Sequence, residues 1–137
     1  MTKILVIDDN EDVRDTLVTI LEDAGYQIAI ARDGEEGVKQ FAAERPELVI
    51  TDIFMPKQEG IQTIREILLL CPQARIIAVS GGMSGYGNGK LLNGFYLHLA
   101  QKLGAVDIIP KPFDIEDLVE RIQRALQPSN LPQRNKA

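Results

Sequence analysis

"KILVID", residues 3–8, sets four consecutive aliphatic side chains, Ile4 to Ile7, between a lysine and an aspartate. A strand with one wet face alternates apolar and polar residues, whereas an unbroken apolar run suits a strand covered on both faces, as in a parallel sheet. Runs of the same kind recur as "YQIAIA" (26–31), "ELVITD" (47–52), "ARIIAVS" (74–80) and "VDIIP" (106–110). Five buried strands are predicted.

Helical periods fill the intervals. Over 11–24, Val13, Leu17, Ile20, Leu21 and Ala24 recur at three- and four-residue steps, with Asp9 or Asn10 as the cap and Gly25 as the terminator. A second helix follows an Asp33 cap, carries Val38 and Phe41, and stops before Pro46. The third, 61–70, uses Ile61, Ile64, Ile67 and Leu68. The fourth, roughly 90–103, buries Leu92, Phe95, Leu99 and Leu103. The last starts from an Asp114 cap and runs through Ile115, Leu118, Val119 and Ile122 to Leu126. Parallel neighbours require crossover helices, so this alternation predicts an α/β doubly wound domain, one parallel sheet flanked by helices. Residues 1–126 form the domain, and 127–137, with two prolines and few apolar residues, read as a flexible tail.

Composition narrows the function. The 137 residues are 45% hydrophobic and 26% charged, the balance of one globular unit with a single core. A formal charge of −5, with no basic cluster, argues against direct nucleic-acid binding. Cys71 has no partner for an internal disulfide and no basic neighbour in sequence, so it reads as structural. No apolar run approaches membrane-spanning length, and aspartates interrupt the N-terminal run too early for a signal peptide, so a cytoplasmic setting is expected. His98 is the sole histidine, which excludes a site with several His ligands, and it reads as a packing or surface residue of the fourth helix.

Ligands of open parallel sheets bind at the carboxyl ends of the strands. Those ends hold Asp8 and Asp9 after the first strand, Asp52 on the third and Ser80 on the fourth, with Lys111 directly after the fifth. Three gathered carboxylates repel one another unless one is protonated or a hard cation takes their oxygens, and Mg²⁺ is the natural candidate. Asp52 is then positioned as a nucleophile, with Ser80 and Lys111 to hold the oxygens of a transferring phosphoryl group. Taken singly, each residue has a plainer role: a helix cap for Asp9 or Asn10, a turn for Asp52, an exposed charge for Lys111. Their joint fall on one sheet edge carries the functional reading.

In this order the motifs "ILVIDDN", "LVITDIFMPKQEG", "AVSGG" and "IIPKPF" resemble the response-regulator receiver domain of two-component phosphorelay signalling, over about residues 3–126. The resemblance implies a (βα)5 flavodoxin-like fold with strand order 2-1-3-4-5. It further implies that Asp52 accepts phosphate from a histidine of a sensor kinase or histidine phosphotransfer protein. Asp9 would bind Mg²⁺ directly and Asp8 mainly through water, Phe54 would lend its backbone carbonyl, and Ser80, the Gly81 amide and Lys111 would contact the phosphoryl group. The Lys111–Pro112 bond would be cis. The surface around the fourth and fifth strands and helices would then change for a downstream protein, with a phosphorylation-dependent homodimer as one form of output.

Two features depart from the family. Ile108 stands where receivers usually carry Tyr or Phe, so the switch pair would be Ser80 and Ile108, without a ring whose polar tip can trade solvent for interior. The segment from Ser80 to Gly104 is some eight to ten residues longer than the family norm, roughly, and its glycine-rich part, 81–91, is the enlargement. It is no phosphate-binding loop: Ser84 stands where a Walker A loop needs its first glycine, Leu91 follows Lys90, and Lys90 also breaks a dinucleotide fingerprint. It reads as a tolerated surface insertion or, functionally, as a lid or partner-facing lobe.

Two other functions compete. An Asp-nucleophile phosphatase of the haloacid-dehalogenase type would need D-x-D, and Asp52-Ile53-Phe54 lacks the second aspartate. A phosphate-independent docking domain would be expected to lose the acidic pair, Asp52 or the lysine, and none is lost; only Ile108 points that way.

Overall fold

The computed structural model describes residues 2–53, 60–80, 98–110 and 114–128. Strands β1 (Lys3–Ile7), β2 (Gln27–Ala31), β3 (Leu48–Asp52), β4 (Ile76–Ser80) and β5 (Asp107–Pro110) form one sheet in the order β2-β1-β3-β4-β5, with every neighbouring pair parallel. Helices α1 (Glu11–Asp23), α2 (Gly34–Glu44), α3 (Gly60–Leu70) and α4 (residues 98–103) lie between successive strands, and α5 (Ile115–Ala125) follows β5.

The strand period sorts the apolar residues into two cores. Ile4, Val6, Leu48, Ile50, Ile77, Val79 and Ile109 face one way and pack with Leu17 and Leu21 of α1 and Leu118, Ile122 and Ala125 of α5. Leu5, Ile7, Val49, Ile76 and Ala78 face the other way, against Phe41 of α2, Ile64 and Ile67 of α3, and Ala100 of α4. Full burial of a side chain such as Leu17 contributes about 1.5–3 kcal/mol, so both layers are needed to hold the sheet. This is the predicted doubly wound arrangement, down to the implied strand order.

Four local outcomes differ from or sharpen the expectation. β2 is an edge strand with Ile30 44% exposed, so its apolar run is only half-buried. Asn10, rather than Asp9, caps α1, its Oδ1 accepting the Val13 N–H at 3.1 Å. Gly25 follows the Ala24 C-cap with φ +96°, a left-handed conformation that suits glycine. At the end of α2, Arg45 adopts φ 46° just before Pro46, which supplies no N–H to continue the helix, and its guanidinium lies 5.8 Å from the Phe41 ring centroid.

His98 is exposed on α4, and Cys71 packs half-buried against the α2–α3 side of the core. On α4, Ala100 is the fully buried residue, with Leu99 and Leu103 half-buried. Leu92, Phe95, the 81–91 enlargement, the Lys111–Pro112 bond and residues 129–137 of the tail lie outside the described residues. None of the described helices is long and apolar enough to cross a membrane.

Candidate functional site

The site grows from the ends of two adjacent central strands. β1 pairs with β3 in a register that sets Ile7 opposite Thr51, so the next residues, Asp8 and Asp52, emerge side by side. β3 pairs with β4 so that Asp52 is level with Val79, and β4 with β5 so that Ser80 is level with Pro110. The ends of β1, β3, β4 and β5 therefore open on one edge of the parallel sheet, as predicted. The Ser80 backbone completes β4 there; its side chain, Phe54, Gly81 and Lys111 lie outside the described residues.

Local bonds hold the first carboxylates. The Asp8 N–H continues the ladder to the Ala31 carbonyl at 3.1 Å, and its Oδ1 accepts the Asn10 N–H at 2.9 Å, which turns the chain into α1. Asp8 is buried at 1% exposure, whereas Asp9, on the outer side of the turn, is exposed. The Arg14 guanidinium reaches back beneath this turn and donates through Nη1 to the Asp8 carbonyl at 3.0 Å.

Asp52 is held from behind. It is 4% exposed, its carbonyl accepts the Thr51 hydroxyl at 3.0 Å, and Ile53 N–H bonds to the Val79 carbonyl at 3.0 Å. Gly60, the first residue of α3, donates its N–H to the Ile53 carbonyl at 2.8 Å. A Cβ on Gly60 would overlap the Asp52 carbonyl oxygen and lie 2.5 Å from Ile53 Cα. Only glycine lets α3 start this close to the Asp52 backbone.

One carboxylate oxygen each from Asp8, Asp9 and Asp52 falls within 4.8 Å of the other two. For the buried pair Asp8 and Asp52, such a separation means a repulsion of roughly 3 kcal/mol or more at the effective dielectric of protein sites. An all-oxygen, multiply anionic donor set is what a hard divalent cation requires, and Mg²⁺ in particular binds through a few carboxylates while keeping several waters.

Ile108 lies on β5 opposite Ala78, half-buried against the α2–α3–α4 core, with its N–H bonded to Asp107 Oδ1 at 2.8 Å and its carbonyl to Arg121 Nη1 at 3.1 Å. Arg121 also pairs with Asp107 and Asp117, each at 3.0 Å, tying α5 to β5. Neither Arg14 nor Gly60 ends or directly follows a strand, so the strand-end rule does not select them. Arg14 stands three and seven residues before Leu17 and Leu21, so the helical period already put a charge on the buried stripe of α1.

Known proteins match this architecture. The family model described as the response regulator receiver domain matches residues 4–123. Protein CcdB of Bacillus subtilis is 35% identical over 127 residues, covering 92% of this chain and 98% of that protein. The alkaline phosphatase synthesis transcriptional regulatory protein PhoP of the same organism is 32% identical over 132 residues, covering 94% of this chain but 50% of the relative, so the chain spans about half the length of that protein. Among solved structures, a response regulator receiver domain protein from Clostridium thermocellum aligns with a TM-score of 0.80 and 33% identity, over 92% of this chain and 94% of the other. With the strand order and the acidic edge already in place, these matches establish that the chain belongs to the response regulator receiver domain family of two-component signalling.

Proposed function

We propose that this domain is a phospho-accepting signalling module in which Asp52 receives a phosphoryl group from the phosphohistidine of a sensor kinase or histidine phosphotransfer protein. The observation that carries this reading is the convergence of Asp8, Asp9 and Asp52 at the carboxyl edge of a parallel sheet. An Asp52 carboxylate oxygen attacks phosphorus, the P–N bond to the donor histidine breaks, and the imidazole leaves with the bonding pair. Gly60 and Thr51 hold the acceptor's backbone while this happens. Mg²⁺, held by Asp8, Asp9, Asp52 and the Phe54 carbonyl, would neutralise charge on the transferring oxygens. Ser80, the Gly81 amide and Lys111 are the partners we assign to those oxygens.

Output would pass through Ser80 and the Ile108 position to the β4–α4–β5–α5 surface, toward a downstream protein or a second copy of this chain. We read residues 1–126 as the receiver unit, 81–91 as its enlargement and 127–137 as a tail. The domain acts as a regulatory acceptor in the cytoplasm, and assists its own phosphorylation and dephosphorylation only as far as the site's charges do so.

Intact-mass measurement after incubation with Mg²⁺ and acetyl phosphate tests the reading. A single stable phosphoryl adduct on the wild type and none on Asp52→Asn is expected. Absence of the adduct from both proteins would favour phosphate-independent docking, the reading Ile108 supports, and rapid multiple turnover would favour a phosphatase.

A further inference from the structure

The two edge strands of the sheet are finished differently. On β5, Pro110 has no N–H to offer, and the Ile108 carbonyl is taken by Arg121 Nη1 at 3.1 Å, with the Asp107 carboxylate paired to the same guanidinium. Proline and charge are the usual means by which an edge strand is kept from pairing with another chain. On β2, "QIAIA" (27–31) has no charge and no proline, and Ile30 is 44% exposed.

Two backbone bonds fix which way the groups of β2 point. The Gln27 N–H donates to the Thr2 carbonyl at 2.9 Å, and the Ala31 carbonyl accepts the Asp8 N–H at 3.1 Å, in an unbroken register that runs from Lys3 opposite Gln27 to Ile7 opposite Ala31. Gln27, Ala29 and Ala31 therefore turn their N–H and C=O toward β1. Alternation puts those of Ile28 and Ile30 on the open side, where they have no partner among the described residues.

We propose that the β2 edge is a self-association surface, on which a second copy of this chain lays its own β2 antiparallel about a two-fold axis at Ala29. In that register Ile28 faces the second copy's Ile30, and each such pair exchanges both N–H···O=C bonds, so every open group of the edge is used. Ala29 meets its own copy at the axis, where facing backbones come closest and a small side chain fits. Ile28 packs on the core shared with α1, and Ile30 points to the same face, so the cross-strand pair covers the exposed Ile30 side chain.

The register has no equal neighbour. Slipping one way brings in Tyr26, whose N–H is already bonded to the Leu21 carbonyl at 3.1 Å, and slipping the other pairs Ile28 with Arg32, beyond the end of the strand. The two-fold contact closes with two copies. Head-to-tail joining of β2 to a second copy's β5, which would run on into a fibre, meets Pro110 and the Arg121 bond instead. Since β2 is the edge opposite β5, away from the surface assigned to output, the pairing needs no phosphoryl group.

Sedimentation equilibrium of the full chain, at concentrations up to about 1 mM, tests the proposal. A reversible monomer–dimer equilibrium is expected, the same with and without Mg²⁺ and acetyl phosphate. Ile30→Lys sets a charge on the exposed edge and should weaken the dimer about tenfold or more, whereas Ile30→Val should behave as the wild type. In a Cys71→Ala background, Ala29→Cys should form an interchain disulfide on mild oxidation, because facing residues of a non-hydrogen-bonded pair lie within disulfide reach. A wild type that stays monomeric, or that grows beyond a dimer, overturns the proposal. So does a dimer that appears only with acetyl phosphate, or one that Ile30→Lys leaves unchanged, since either puts the contact elsewhere. If Ile30→Lys does not fold, the cross-link decides; in every case its absence from Ala29→Cys refutes the pairing.

Discussion

Aspartates close the strands and open the helices of this domain, and the two sets behave differently. At the helix starts, Asp33 and Asp114 each accept an N–H three residues ahead, from Glu36 at 2.8 Å and Asp117 at 3.0 Å. Each works within its own turn, satisfying an orphan donor and meeting the positive end of the helix. At the strand ends, Asp8 and Asp52 are brought together from distant parts of the chain, are almost wholly buried, and share their edge with Asp9. Identical side chains therefore serve a local purpose in one region and a collective one in the other. Substitution by asparagine separates them, because asparagine caps a helix as well as aspartate does but offers neither a carboxylate nucleophile nor a full charge to a cation.

The largest contrast is expected at Asp52, where Asn should abolish the phosphoryl adduct outright, against Asp33→Asn, which should leave the adduct in the mass spectrum unchanged. An adduct surviving in Asp52→Asn would place the acceptor elsewhere. Next comes Asp9→Asn: Mg²⁺ affinity by calorimetry should fall about tenfold or more with the loss of one anionic ligand, while the metal-free Tm holds or rises as repulsion is relieved. Equal Mg²⁺ binding by this variant and the wild type would remove Asp9 from the ligand set.

Gly60→Ala probes the support rather than the carboxylates. The added methyl meets backbone atoms of Asp52 and Ile53 that have no room to yield, so denaturant unfolding should show a loss of about 1–3 kcal/mol, with slower phosphorylation than in the wild type. At the helix starts, Asp33→Ala should cost about 1 kcal/mol by the same measurement and leave Mg²⁺ affinity untouched. A change in Mg²⁺ affinity there would erase the distinction between the two sets.

The smallest effect lies outside both. Burial raises the Tyr26 phenol above its ordinary value of 10.0. The folded state therefore holds that proton longer than the unfolded chain does, and the associated stability is present in full below pH 10 and is lost as pH rises through the raised value. Thermal unfolding of Tyr26→Phe should parallel the wild type below that pH and lose the alkaline decline attributable to this group above it.

Much of this was legible without coordinates. The β1 run is buried throughout, as an unbroken apolar run predicts, and the caps at Asp33 and Asp114 are where the periodicity placed them. The run in β2 has the same character, yet Ile30 is substantially exposed, because composition does not say which strand will lie at an edge. The clustering of Asp8, Asp9 and Asp52 was legible because each ends or follows a strand of a parallel sheet, a position that topology makes chemically special. Arg14 and Gly60 were passed over because their roles depend on what lies behind the turn and beneath the helix.

The sequence by itself determined what depends on near neighbours along the chain: the periods of strand and helix, their capping residues, and the chemical types waiting at the strand ends. The tertiary structure alone decided which strands are outermost, how closely α3 approaches the Asp52 backbone, and that a guanidinium from α1 lies buried against the Asp8 carbonyl. Those outcomes are set by sheet register and by packing between distant segments, where burial weakens screening and turns small separations into large energies.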